Sequence, residues 1–403
     1  MPSTASSLRS PAAADLASST VDAARALFAD HFDASPDTPS AVYQQAPLAV
    51  QADHTHYSEG FALLAAGPYG VAVAAWPAPD GVSRLAEPDA PARVSLPSGT
   101  SPRSSDSLTA RVVRAMLNAT TDAALALDVA VAHTLPDVCR DAYSAALARA
   151  LHRILVQHGS AEGPPPFDRS FPEIAHAVLP DAQGRPCSRA YPLAVSEAAH
   201  REERLAPFVL VDTPAGDVLP VPDEYGDTIQ WGFFATTPPS QYTPGTSKRR
   251  KTRAQAALSA LQSTDDFADL KTFSDLEHRA LDRALRQVDD VHQPVVRHLV
   301  TENRRVQKHV VALRHGDGQM SGALLHMTHA SLQSTWDGSS AAADFLVEQA
   351  EGYTESGLYG AGMTGRDGYV FTVGRRPAYH AHVRTLRERY EAAFHHPVSF
   401  VPL

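Results

Sequence analysis

The sequence predicts an α+β protein of two domains, and three observations predict it. The chain has 403 residues, and a single hydrophobic core stops growing at about 250–300 residues, so two cores are expected. The first half sets strand-like runs around a strand–turn–helix unit at 124–157. The second half alternates long helical stretches with short strands. The expected division is a disordered leader at 1–19, an N-terminal domain at 20–215 and a C-terminal domain at 216–403.

From the N-terminus, MPSTASSLRSPAAADLASS lacks a basic stretch followed by an apolar core, so it is not a signal peptide and reads as a disordered Ser/Ala/Pro leader. Val21, Ala24, Leu27, Phe28 and Phe32 recur with a helical period over Thr20–Asp33. Leu48–Gln51 and Gly60–Ala66 flank a turn written DHTHY, and Val71–Trp76 reads as a strand in a hairpin. Residues 77–105 are rich in Pro, Ser, Asp and Gly, which predicts a surface excursion. Leu108–Leu117 predicts an amphipathic helix, Ala124–Ala132 a strand and Ala142–Gln157 a long helix. The stretch HGSAEGPPP at 158–166 cannot continue that helix. Charges at Glu202, Glu203 and Arg204 mark an enlarged loop before a strand at Phe208–Asp212. A strand at Ile229–Thr236 and a loop at Pro238–Thr246 follow, then helices to about Ala350, a turn at 360–368, a strand at Tyr369–Val373, a helix and a last strand.

Hydrophobic residues at 43% and charged residues at 20% are globular values. A net charge of −10 argues against general nucleic-acid binding, which needs a basic face. The one basic run, Lys248–Lys251 with Arg253, reads as a solvated helix face. Two cysteines, Cys139 and Cys187, imply no disulfide framework. No apolar run approaches a membrane span. These features predict a soluble cytoplasmic protein without nucleic-acid or membrane partners.

Four segments carry motifs. Residues 52–66 read ADHTHYSEGFALLAA, 136–147 PDVCRDAYSAAL, 184–192 GRPCSRAYP and 357–365 GLYGAGMTG. Between the last two lies HLVTENRRVQKHVVALRHGDGQMSGALLHMTHASLQ at 298–333. In order and spacing these resemble the galactokinase family of the GHMP kinase superfamily, over roughly residues 24–375. The family patterns are GEHTDYNDGFVLPAA for the sugar turn, PLGAGLSSSAAL for the phosphate loop, GxPCGIMDQ for the catalytic aspartate and GxxGARMTGGGFGG near the C-terminus. The resemblance implies the two-domain GHMP kinase fold, an S5-like α/β domain followed by a ferredoxin-like domain. It also implies ATP-dependent phosphorylation of a sugar.

Many of the positions that perform that chemistry are changed. Phosphoryl transfer depends on positioning and electrostatics, for which glycines let the backbone reach the phosphates and a helix N-terminus adds its dipole. The nucleotide-loop positions here read Val138, Cys139, Arg140, Asp141, Ala142, Tyr143 and Ser144. Val138 and Arg140 replace glycines, Asp141 places a negative charge beside the phosphates, and Ser144 alone of the three serines keeps its hydroxyl. The family base position is Tyr191, a phenol with a pKa of about 10 and a poor base, so no catalytic residue is assigned. The arginine facing that base is missing from APLAVQAD at 46–53. The arginine of the last motif is Gly362, and its glycine run is broken by Arg366 and Asp367.

The sugar-binding candidates are Asp53, His54, His56 and Tyr57, with Asp53 a methylene shorter than the family glutamate and His56 in place of its aspartate. Gly60 and Phe61 read as scaffold. His54 and His56 form an HxH pair of the spacing that binds zinc on a strand, as His380 and His382 repeat on a helix start, but 19 histidines make chance pairs expected and no metal site is assigned. The leading expectation is a galactokinase-like protein that has lost phosphotransfer and binds a sugar-like ligand or a partner in the inter-domain cleft. The alternative is an active, divergent galactokinase or other small-molecule kinase. No cofactor is assigned under the first reading and Mg-ATP under the second.

Overall fold

The computed structural model describes residues 11–32, 39–52, 55, 58–88, 93–100, 103, 105–121, 125–159, 165–200, 207–222, 224–236, 244–336, 338–364 and 368–403. The chain divides into two compact units. The first comprises Met1–Ala46, Gly67–Leu135 and Tyr143–Gln183, the second Pro47–Ala66, Pro136–Ala142 and Gly184–Leu403.

The first unit opens with α1 (Pro11–His31). It takes in much of the stretch expected to be a disordered leader, a correction with a local cause: PAAAD puts a proline in the first helical turn and follows it with the best helix former. Strands β1 (Ser40–Gln51) and β2 (Phe61–Pro77) are each long enough to contribute to both units. The strand expected at Val71–Trp76 is the end of β2, which continues unbroken through Gly67 and Pro68. There Tyr43 Oη donates to the Pro68 carbonyl at 3.0 Å and Gln45 Nε2 to that of Gly67 at 2.6 Å. Side chains of β1 thus satisfy the Gly67 and Pro68 carbonyls within β2.

Residues 71–77 of β2 pair antiparallel with β5 (Leu127–His133). The expected surface excursion at 77–105 contains two short strands, β3 (Ser83–Ala86) and β4 (Val94–Leu96). β3 runs parallel to β5 and antiparallel to β4, and Arg84 is tied to Asp128 of β5 at 2.7 Å. Pattern-reading missed them because three or four residues are too few to show a period. Helix α2 (Leu108–Asn118) starts where Ser107 Oγ accepts the Ala110 N–H at 3.0 Å. α3 (Arg140–His158) and α4 (Phe171–Gln183) complete the helices of this unit. α1 sets Ala24, Phe28 and Phe32 against Ala72, Ala74, Ala86, Ala130 and Ala132, whose small side chains let the helix approach the strands.

The second unit begins with the end of β1 and the start of β2, where residues 61–65 pair antiparallel with β6 (Phe208–Asp212). α5 (Ala190–His200) precedes that strand, and β7 (Asp217–Val221) returns antiparallel beside it. A second, antiparallel sheet has the order β11-β8-β10-β9, from β8 (Ile229–Ala235), β9 (Leu358–Thr364), β10 (Tyr369–Arg375) and β11 (Ser399–Pro402). The helices are α6 (Pro244–Gln262), α7 (Leu281–Arg286), α8 (Gln293–Arg314), α9 (Gly318–Ser331), α10 (Ala341–Glu351) and α11 (Arg376–Phe394). Their apolar stripes, including Leu261, Leu285, Val296, Leu346 and Tyr390, close a core over Phe234, Met363 and Val370. The turn expected from residue 360 is instead strand as far as Thr364. Among the described residues no helix is long and apolar enough to cross a membrane.

Candidate functional site

The first, third and fourth motif segments, as far as they are described, lie in the second unit, and the phosphate-loop segment enters it at Pro136–Ala142. A buried polar seam on α8 and α9 holds the end of β1 that leads into the first of these segments. Its centre is Gln51, the last residue of β1, fully enclosed. Its Nε2 donates to Glu302 Oε1 at 2.9 Å and to Thr328 Oγ1 at 2.6 Å. Thr328 donates in turn to Glu302 Oε1 at 2.8 Å, and Arg305 clamps the other carboxylate oxygen. A carboxylate with no exposed surface survives here because every oxygen has a donor.

Gln51 Oε1 can only accept, so His309 Nδ1, 2.9 Å away, carries the proton. Burial pushes the His309 pKa down to about 3, and the ring is neutral. Next along β1, Ala49 is held at both backbone atoms: its N–H donates to Tyr369 Oη at 2.8 Å and its carbonyl accepts from Thr364 Oγ1 at 2.7 Å.

The far side of the 52–66 segment is anchored just as closely. Ser58 N–H and Gly60 N–H both donate to the Thr55 carbonyl at 2.9 Å, and Thr55 Oγ1 donates to the Phe61 carbonyl at 2.7 Å. Glu59 takes a left-handed backbone with φ of 60°, which tightens the turn. Asn303 Oδ1 accepts the Phe61 N–H at 3.0 Å, and Thr213 Oγ1 donates to the Gly60 carbonyl at 2.7 Å. The sugar-contact candidates Asp53, His54, His56 and Tyr57 lie outside the described residues. Their supports on both sides do not.

Helix α3 starts at Arg140, inside the segment matched to the phosphate loop. Val138, Cys139, Asp141, Ala142, Tyr143 and Ser144 are buried, and Arg140 is half-buried. Asp141, in the first turn, pairs with Arg185 at 3.2 Å, with 4% and 13% of the two side chains exposed. A carboxylate at this point complements the helix dipole. Tyr143, counted with the first unit, bonds through its hydroxyl to Thr109 Oγ1 at 2.7 Å and meets the His133 ring edge-on at 4.8 Å. Burial raises its pKa, so it stays a neutral phenol. Ser144 Oγ is fully enclosed and has no hydrogen-bond partner.

In the third segment Ser188 Oγ accepts the Ala190 N–H at 2.9 Å and starts α5, which places Tyr191 in its first turn, 4% exposed. The last segment, in β9, lies directly against α9. A Cβ on Gly322 would come within 2.2 Å of the Tyr359 carbonyl oxygen, and one on Gly362 within 2.4 Å of that of Leu325. The family arginine position is therefore closed: no side chain fits at Gly362 while α9 stays in place. Arg366 and Asp367 lie outside the described residues. Among the described residues no three His, Cys, Asp or Glu side chains gather as a metal-binding group.

Sequence reasoning located the motif segments but read 298–333 only as a helical block. The residues it missed are Gln51, Glu302, Asn303, Arg305, His309 and Thr328. A signal existed: His298, Glu302 and His309 are polar residues at spacings of four and seven on the apolar face of α8, where all three are fully buried. Polar groups on a core stripe announce a hydrogen-bonded seam.

No protein-family model matches the chain. Among curated proteins it is 29% identical over 195 residues to the galactokinase of Levilactobacillus brevis, covering 48% of this chain and 49% of that one. It is 31% identical over 118 residues to the galactokinase of Thermotoga neapolitana, covering 29% and 33%. The matched stretches thus span a third to a half of these relatives. The Lactococcus lactis galactokinase solved with galactose superposes with a TM-score of 0.79 at 18% identity, covering 94% of this chain and 97% of that one. The Methanococcus jannaschii mevalonate kinase does so with a TM-score of 0.59 at 9% identity, covering 91% and 98%. The fold is thus the two-domain α+β fold seen in GHMP kinases, and over part of its length the chain is similar in sequence to curated galactokinases.

Proposed function

We propose that this protein is a galactokinase-family pseudokinase, which binds a small sugar-like ligand at the 53–61 segment and does not transfer phosphate. The observation that carries the reading is the Asp141–Arg185 pair at the start of α3. In a kinase of this superfamily that helix N-terminus faces the nucleotide phosphates. Here a side-chain carboxylate supplies the negative charge, and the nearby guanidinium is spent on it. A phosphate approaching the same point meets an acid in place of open backbone N–H groups. Tyr191 offers no carboxylate to a sugar hydroxyl, Gly362 has no room for an arginine, and Ser144 is enclosed where a Mg²⁺ ligand would need to be reachable. The supports of the sugar segment are intact by contrast, which favours retained ligand binding.

The test pairs calorimetry with a coupled ADP-release assay. The expected result is no saturable Mg-ATP binding at micromolar concentration and no turnover with galactose or a panel of hexoses, while sugar titration alone gives a binding isotherm. Turnover of about 1 s⁻¹ with any hexose, an ordinary enzyme rate, would replace this reading with that of an active divergent kinase using Mg-ATP.

A further inference from the structure

We propose that Asn303 of α8 is a positioning residue for the sugar-contact segment, setting its geometry through the Phe61 amide and Gly60 without touching ligand. This rests on the reading of residues 53–57 as the ligand contact. Asn303 is 5% exposed. Its Oδ1 takes the Phe61 N–H at 3.0 Å, at the point where β2 begins. The absent side chain of Gly60 makes this approach possible: a Cβ there would sit 2.4 Å from Asn303 Oδ1 and 2.9 Å from Thr55 Cβ. Glycine and asparagine therefore fit as a pair: a side chain at position 60 would displace the Asn303 amide oxygen.

Two features separate this contact from ordinary packing. Asn303 Nδ2 is enclosed without a hydrogen-bond partner, so the amide stays buried at a cost that the single Phe61 bond has to offset. Helix α8 also holds the other end of the same segment, because Glu302 and His309 bind Gln51 while their neighbour Asn303 binds Phe61. One helix thus sets the spacing between the residue two before Asp53 and the residue four after Tyr57. A helix is stiff, so that spacing does not drift with the segment it spans.

Hydrogen exchange and sugar titration on three proteins test the proposal: the wild type, Asn303→Asp, which keeps an acceptor for Phe61, and Asn303→Leu, which has the same branching and no acceptor. The reference site is the Ala49 amide, bonded to Tyr369 in the same unit. Exchange at Phe61 should rise about tenfold in Asn303→Leu, the scale of one lost hydrogen bond, with Ala49 unchanged. Asn303→Asp should restore most of the protection. Galactose affinity should fall about tenfold in the leucine variant and recover with Phe61 protection in the aspartate variant. Unchanged Phe61 exchange in Asn303→Leu, or equal loss at Phe61 and Ala49, overturns the positioning role. Lost protection at Phe61 with unchanged galactose affinity overturns it as well. A wild type that binds no sugar, with the exchange pattern as expected, overturns the ligand reading instead.

Discussion

Asp141 and Arg185 form a nearly enclosed ion pair, 3.2 Å apart, between the first turn of α3 and the segment that precedes α5. Both partners belong to motif segments: Asp141 stands where the phosphate-loop pattern has leucine, and Arg185 stands at the variable position of GxPC. The acid that looked repulsive as an isolated substitution is half of a neutral pair.

Arg185→Met should therefore be strongly destabilising, because it leaves the Asp141 carboxylate buried without its cation. Breaking such a pair costs about 3–5 kcal/mol. The double variant Asp141→Asn/Arg185→Met should recover most of that loss. Urea denaturation of both single variants and the double closes the cycle, and additive losses would mean that the pair contributes nothing.

Gly322→Ala should cost at least about 2–3 kcal/mol, at the upper end of overpacking. The new Cβ would meet the backbone of β9, 2.2 Å from the Tyr359 oxygen and 2.7 Å from the Gly360 nitrogen, and backbone cannot rotate away. The thermal midpoint reports it, and a midpoint within a degree of wild type would show that α9 moves freely on β9.

His309 predicts an acid-sensitive limb of stability. Burial holds its folded pKa at about 3, against the ordinary imidazole value of 6.5. Below pH 6.5 the unfolded chain binds a proton that the native seam refuses, so stability is full above that pH and falls as pH drops towards the folded value. The slope is about 1.4 kcal/mol per pH unit for this one site. His309→Gln should flatten the curve between pH 6.5 and 5, measured by urea unfolding at fixed pH values. An unchanged slope would mean that His309 is accessible to protons in the native state.

Tyr191→Asp should not create a galactokinase. The position is 4% exposed in the first turn of α5, and the pair at α3 is untouched by the change. A buried new carboxylate should lower stability by several kcal/mol. ADP release with Mg-ATP and galactose should stay at background, and a measurable rate would show that the base alone had been missing.

The resemblance to galactokinases and the order of its segments were legible in the sequence because they are local: GxPC, ENxRV and MTG are short strings whose spacing survives substitution. Strands of five to seven residues such as Phe208–Asp212 and Tyr369–Arg375 were legible too, from continuous apolar runs. Helix α1 was misread at its start, since the composition of a Ser/Ala/Pro leader says less than the alanines within it. The stretches read separately as Gly60–Ala66 and Val71–Trp76 form one strand, and Tyr43 and Gln45 of β1 donate to the Pro68 and Gly67 carbonyls between them. Only the tertiary structure decided that Asp141 is neutralised, since Arg185 is 44 residues away and nothing local pairs them. It also decided that Gly362 has no space for a side chain, and that Gln51, 251 residues before Glu302, belongs to the same hydrogen-bonded seam. Pairing and steric exclusion depend on which surfaces meet, and a linear pattern records only what each surface offers.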